Sequence, residues 1–219
     1  MTTTAIPRRF GVLGSGEVGQ ALARGIAADG HEVRIGSRTP GKLAQFSKSS
    51  RIPAGSFAEV AAWGQALVLA VAGSAAVEAI ELAGPENLAR KLVIDTTNPI
   101  SGEPPEDGVL RYFTGPNESL MERLQSANPA ARFVKAFNSV GSDLMVHPIL
   151  SGGPPTMFYC GNDAAAKAVV AQLLERLGWE AADMGSAVAA RALEPLAQLW
   201  CIPGFREDQW THAFRLLRL

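Results

Sequence analysis

Arg9-Phe10-Gly11-Val12-Leu13-Gly14-Ser15-Gly16-Glu17-Val18-Gly19 is the stretch that decides the fold of this chain. Arg9 to Leu13 reads as a buried parallel strand, and a G-x-G-x-x-G pattern follows at once over Gly14, Ser15, Gly16, Glu17, Val18 and Gly19. A loop that closes a strand and opens a helix in this way lets backbone approach a pyrophosphate and aims free helix N–H groups at its charge. Gly14 suits the tight turn, Gly16 leaves room for the phosphates, and Gly19 lets the helix pack close to the strand, with Ala23 one turn on keeping that contact tight. The helix over Glu17 to Asp29 turns Val18, Ala21, Leu22, Gly25 and Ile26 toward a sheet, and Gly30 stops it. Three glycines so spaced carry a conformational-entropy cost that a plain turn does not require. The pattern predicts a dinucleotide cradle.

The next strand, His31 to Gly36, selects the dinucleotide. NAD-specific sites place an Asp or Glu near its end for the adenosine ribose hydroxyls, and no acid stands there. Ser37 and Arg38 follow instead, with Lys42 four residues later, so a hydroxyl and two cations converge where a 2′-phosphate would sit. Each charge-assisted bond contributes about 1.5–3 kcal/mol, less where exposed. The expected cofactor is NADP(H). On a surface turn with no ligand the same two cations would simply be solvated, which is the common fate of Lys and Arg.

The remainder continues the strand and helix alternation. Short helices are expected over Gly41 to Ser47 and Phe57 to Trp63, strands over Ala66 to Val71 and Lys91 to Asp95, and a helix capped by Ser74 between them. Ile100 to Pro116, rich in Pro and Gly, reads as a loop, either lid or surface excursion. A helix from Asn117 or Glu118 to about Ser126, a strand Arg132 to Phe137, a turn at Gly152 to Pro155 and a strand Thr156 to Cys160 follow. Asp163 caps a helix to Leu177, Trp179 to Asp183 closes the strand series, and a last apolar helix covers Ala187 to Trp200. This is an α/β pattern, a doubly wound and mainly parallel sheet of Rossmann type. The chain of 219 residues, 47% hydrophobic, is expected to form a single NADP-binding domain over residues 1–219 with a C-terminal helical extension from about 187.

A net charge of −1 gives no footprint for nucleic acid or an anionic membrane. Ala66 to Val71 is too short to cross a bilayer, and Met1 to Pro7 lacks the features of a signal peptide, so a cytoplasmic protein is expected. Cys160 and Cys201 read as packing residues with no disulfide, and His31, His147 and His212 lack metal-ligand spacing, so no metal site is expected.

In a doubly wound sheet, ligands lie at the carboxyl ends of the strands. Ala70, Val71 and Ala72 leave room for a cofactor beside backbone, Asn98 with Pro99 ends one strand, and Ala136, Phe137 and Asn138 end another. Asn98 and Asn138 have the donors and acceptors to bond a ribose or carboxamide, although Asn also caps loops without any ligand. Phe137 and Val140 would make an apolar platform for a flat ring, or pack in the core. Lys135 reads as a pairing residue at the sheet end.

These segments, Gly14 to Gly19, Ile35 to Arg38 with Lys42, Asp95-Thr96-Thr97-Asn98-Pro99 and Val134 to Gly141, resemble the deazaflavin-dependent NADP oxidoreductase family. Gly153 to Phe158, Gly161-Asn162-Asp163, Leu193-Glu194-Pro195-Leu196 and Trp210 to Phe214 extend the likeness over essentially the whole chain. The chain is also similar to the reductase domain of the six-transmembrane metalloreductases, with no membrane part expected here. The resemblance implies hydride transfer between NADP(H) and a flat two-electron acceptor that serves as co-substrate, deazaflavin coenzyme or a flavin foremost. The loop Ala136 to Gly141 departs from that of the archaeal deazaflavin reductases, which carry a histidine and a proline there, so a quinone, ferric chelate or small imine stays open as acceptor.

The chain shows no Ser/His/Asp set, paired carboxylates or Lys–Tyr pair, and hydride transfer between two cofactor rings needs none, since the protein must hold two carbons about 3–3.5 Å apart and exclude water. The same lack motivates a rival reading, a non-catalytic NADP(H)-responsive binding protein with a partner surface of Leu199, Trp200, Phe205 and Trp210. A hydroxy-acid or pyrroline-type dehydrogenase fits poorly, because it would place a large helical domain after the nucleotide domain, and none is expected from the short stretch that follows the last expected helix. Trp210, Phe214, Leu216 and Leu217 have helix-like spacing and suit docking on their own domain or on a second subunit, which leaves a homodimer open.

Overall fold

Phe10 and Val12 face one side of a sheet and Leu13 the other, and all three are fully buried. A computed structural model describes residues 5–218, and the period-2 alternation recurs throughout its sheet. Met1 to Thr4, part of the segment judged unlike a signal peptide, lie outside the described residues. The strands are β1 (Arg9–Leu13), β2 (Glu32–Gly36), β3 (Ala54–Gly55), β4 (Ala66–Leu69), β5 (Leu92–Asp95), β6 (Arg132–Lys135), β7 (Thr156–Gly161) and β8 (Glu180–Asp183). They form one sheet in the order β3-β2-β1-β4-β5-β6-β7-β8. The helices are α1 (Glu17–Ala28), α2 (Ala44–Ser50), α3 (Phe57–Trp63), α4 (Ala76–Ala83), α5 (Pro85–Leu88), α6 (Leu120–Ala127), α7 (Ala164–Arg176) and α8 (Ala190–Glu207).

Two apolar layers sandwich the sheet. Phe10, Val12, Ile35, Val68, Ile94 and Val134 pack with Leu22, Ile26, Val170 and Leu173 of α1 and α7. Leu13, Leu67, Leu69, Val93 and Phe133 pack with side chains of α3, α4, α6 and α8. The chain is thus an α/β Rossmann-type fold, and the order of its strands reverses between β1 and β4. Among the described residues no helix is long and apolar enough to cross a membrane.

The sheet departs from the expected pattern at β7. Val134 pairs with Gly161 and Lys135 with Cys160, so β7 runs antiparallel to β6. The cause lies in the connection, which carries only a 3-10 turn at Ser142–Leu144 and no crossover helix to return the chain in parallel. Thr156 therefore lies beyond Lys135, on the rim that holds the carboxyl ends of β1, β4 and β5.

Other differences are local. The helix expected at Gly41 to Ser47 is a 3-10 turn, Pro40–Leu43, followed by α2 to Ser50. Ser74 sits inside a 3-10 turn, Gly73–Ala75, and caps nothing with its side chain. The short β3 and α5 have too few residues to show a period. The strand expected to reach Phe137 stops at Lys135, because Phe137 adopts φ 61°, a left-handed conformation uncommon for a bulky residue.

The last helix runs to Glu207, seven residues past the expected end, through Pro195 and Pro203. Asp208, at φ 53°, ends it. The segment after it is not helical: Thr156 N–H donates to Phe214 O at 2.9 Å, and Leu216 N–H donates to Thr156 Oγ1 at 2.9 Å. Its aromatic spacing serves packing against α8, with Trp200 stacked on His212 and Phe205 edge-on to Trp210. The tail docks on its own chain.

Candidate active site

The turn after β1 is built around backbone contact. Gly14 has φ 141°, and a Cβ there would lie 2.0 Å from Ala70 O. A Cβ on Gly19 would lie 2.2 Å from Gly14 O, so the helix packs on the turn at a distance no side chain permits. Gly16 differs, since a Cβ there would meet nothing within 4 Å. Gly16 is also the N-cap of α1 and supplies no side-chain hydrogen bond. No N-cap side chain takes up the N–H groups of that first turn, the arrangement that suits a helix N-terminus to an anion.

Beside the turn lies a cavity of about 320 Å³ lined by Ser15, Ser37, Arg38, Lys42, Ala72 and Glu78, among others. Ser37 is buried at 5% exposure. Its Oγ accepts the Thr39 N–H at 3.1 Å and lies 3.4 Å from Ser15 Oγ, which joins the two loops. Arg38 Nη1 pairs with Glu78 Oε2 across the cavity at 2.9 Å, and both side chains are more than half exposed. Phe57, Ala75 and Ala79 supply apolar wall.

A second cavity, about 340 Å³, continues the first through the shared residues Ala70, Val71 and Ala72. Glu17 and Val18 line it from one side and Thr96, Thr97, Asn98 and Ile100 from the other. Glu17 is its one ionisable residue among those described. Asn98 and Asn138 are joined reciprocally: Asn98 Nδ2 donates to Asn138 O at 2.7 Å, and Asn138 Nδ2 donates to Asn98 Oδ1 at 3.0 Å and to Leu193 O at 2.7 Å. The groove spans the reversal between β1 and β4, where this class of sheet binds dinucleotides.

Residues 9–99 match the family described as NADP oxidoreductase, coenzyme F420-dependent. A solved structure of a candidate F420-dependent NADP-reductase from Arthrobacter sp. FB24 is 35% identical over 97% of this chain and 100% of that one, with a TM-score of 0.89. The chain belongs to the coenzyme F420-dependent NADP oxidoreductase family. It is accordingly an NADP-dependent oxidoreductase. Metalloreductase STEAP3 of Rattus norvegicus is 31% identical over 201 residues, and the chain spans 38% of that protein's length. A hypothetical protein of Sinorhizobium meliloti shares the fold, with a TM-score of 0.74 at 22% identity over 97% of this chain and 96% of that one.

In this oxidoreductase the sequence-derived residues fall into two shells. Gly14 to Val18, Ser37, Arg38, Lys42, Ala70 to Ala72 and Asn98 line the groove, with Gly19 packed behind the turn. Pro99, Ala136, Phe137 and Asn138 lie behind it, all buried. The platform expected of Phe137 and Val140 is core instead, with exposures of 1% and 7%. The left-handed turn at Phe137 carries its ring inward and leaves its N–H on Met157 Sδ at 3.2 Å. His147 is exposed and stands apart from the groove lining.

Directly beneath the second cavity is a charge cluster that the sequence does not announce. Lys135 is fully buried, with Nζ 2.7 Å from Asp95 Oδ2 and 2.9 Å from Glu194 Oε1, and it donates to Thr97 O at 2.6 Å. Asp95 Oδ1 also accepts the Thr97 N–H and hydroxyl at 2.9 and 2.7 Å. Glu194, from α8, accepts the N–H groups of Leu120 and Met121 at 2.9 and 3.0 Å and so caps α6. Burial pulls the Lys135 ammonium down, but the facing Asp95 and Glu194 charges and their hydrogen bonds outweigh it and hold the group above the usual lysine value. Strand patterning exposes Lys135 as a lone cation. Only the return of α8, some sixty residues later, brings the second carboxylate.

Proposed function

We propose that this groove holds NADP(H) along its length and that the chain transfers hydride between it and a flat two-electron acceptor, a deazaflavin coenzyme or a flavin foremost. The single observation that carries the reading is the contrast between the two halves of one continuous groove. One half is lined by Ser37, Arg38 and Lys42; the other is lined by threonines, an asparagine and small residues, with only Glu17 to ionise. When bound, the dinucleotide supplies the hydride at its nicotinamide.

The residues then divide the work. The turn from Gly14 to Gly19 directs the N–H groups at the start of α1 to donate to the pyrophosphate, and Arg38 and Lys42 take the 2′-phosphate with the Ser37 hydroxyl. Ala70 to Ala72 let the cofactor cross the strand reversal close to backbone. Thr96, Thr97 and Asn98 form the floor of the reacting end, and Asn138 and Lys135 hold that floor from below. Orientation and exclusion of water are what a ring-to-ring hydride transfer asks of a protein, and the lining supplies them without a proton-transfer set.

A steady-state screen tests the reading: NADPH and NADH in parallel against deazaflavin coenzyme, flavins, quinones, ferric chelates and small imines. Acceptor-dependent oxidation with NADPH preferred is the expected result. Silence with every acceptor overturns it in favour of a binding protein.

A further inference from the structure

Glu78 is the acid that the end of β2 lacks, supplied from the opposite wall. It stands in the first turn of α4, and its carboxylate meets Arg38 at 2.9 Å across the mouth of the cavity that both residues line. A 2′-phosphate oxygen would compete for that Nη1 donor, since both anions seek the N–H groups of Arg38. The pair is exposed, 60% on the arginine and 53% on the glutamate, so water screens it and an incoming anion can exchange with it. Lys42 lines the same cavity and forms no ion pair among the described residues. The rim therefore sets two cations against one carboxylate.

We propose that Glu78 is a specificity-determining residue: an internal stand-in for the 2′-phosphate that holds Arg38 across the cavity until NADP(H) displaces it. This rests on the assignment of Ser37, Arg38 and Lys42 to the 2′-phosphate. Arg38 is kept at its post, and the phosphorylated dinucleotide must break one ion pair to form another. A dinucleotide without the phosphate leaves the pair intact. Glu78 thus tempers the preference for NADP(H) over NAD(H) and eases release of the spent cofactor.

The test compares wild type, Glu78→Gln, Arg38→Ala and the double variant by equilibrium binding of NADPH, NADH, 2′,5′-ADP and 5′-AMP. Glu78→Gln is expected to tighten NADPH and 2′,5′-ADP by about two- to fivefold, the range of one exposed ion pair. It is expected to leave NADH and 5′-AMP unchanged and to have no effect once Arg38 is alanine. Unchanged or weaker NADPH binding, equal tightening of NADH, or a gain that persists without Arg38 each overturns the proposal. Arg38→Ala separates the two levels. If it weakens NADPH and NADH alike, the phosphate assignment fails and takes the proposal with it; if it is selective for NADPH while Glu78→Gln is silent, only the role of Glu78 fails.

Discussion

Lys135 pairs with two carboxylates and donates to Thr97 O in a place closed to water, and its removal would strand both carboxylates there. Lys135→Met should therefore lower the unfolding free energy by about 3–5 kcal/mol, the range for breaking a buried ion pair, as read by denaturant titration; a loss below about 1 kcal/mol would contradict the ion-pair account. The sign with pH follows from the raised value. Folded Lys135 holds its proton more tightly than unfolded Lys135, so its contribution is complete below the ordinary value of 10.5 and fades as pH climbs above it. Cys160 behaves similarly for a different reason: burial pushes its thiol up to about 12 from 9.0. Alkylation of Cys160 at pH 8 should then proceed only as fast as the protein opens, and this thiol's share of stability should decline between pH 9.0 and about 12. At the groove, Arg38→Ala should raise the KM for NADPH by about tenfold or more, the value of one charge-assisted phosphate contact, and barely move that for NADH. Equal rises in steady-state kinetics would remove the phosphate assignment.

The turn between β1 and α1 makes separable demands on its glycines. A methyl group on Gly19 would collide with Gly14 O, whereas one on Gly16 meets only open space. Gly16→Ala should keep the melting temperature within a degree or two of wild type, as for a surface change of at most about 0.5 kcal/mol, while NADPH binding by calorimetry falls sharply. Gly19→Ala should lose both stability and binding. Two variants that behaved alike would show that Gly16 also packs. The close packing at Gly14 and Gly19 was legible in the sequence because the motif is local: Ser37, Arg38, Phe57 to Trp63 and the Asp163 cap also stand where their neighbours predict. The antiparallel β7 was not, since a strand's own side-chain period is the same whichever way it runs. Only the missing crossover helix after Lys135 carried the signal.

Across the whole molecule, the parts hidden from sequence reading are those set by distant returns of the chain. Asn138 reads as a ligand contact from its position at a strand end, yet its amide nitrogen donates to Asn98 and to Leu193 of α8. Glu194 and the Trp200 indole, which donates to His212 O at 2.8 Å, likewise gain their partners only when α8 and the tail fold back. Trp210 packs on Gly204 and Phe205 while 37% exposed, so Trp210→Ala should lower stability by about 1–2 kcal/mol, less than for a fully buried aromatic. Urea unfolding measures it, and NADPH affinity should hold, because the groove lies over β1, β4 and β5. The reversed strand has an engineering consequence. By placing Thr156 at the sheet edge that holds the carboxyl ends of β1, β4 and β5 and tying Phe214 and Leu216 to it, β7 directs the carboxyl-terminal segment to that edge. A tag in the Phe214 to Leu216 stretch would stand at the sheet edge that holds the carboxyl ends of β1, β4 and β5, while one joined ahead of β1 would emerge at the opposite edge.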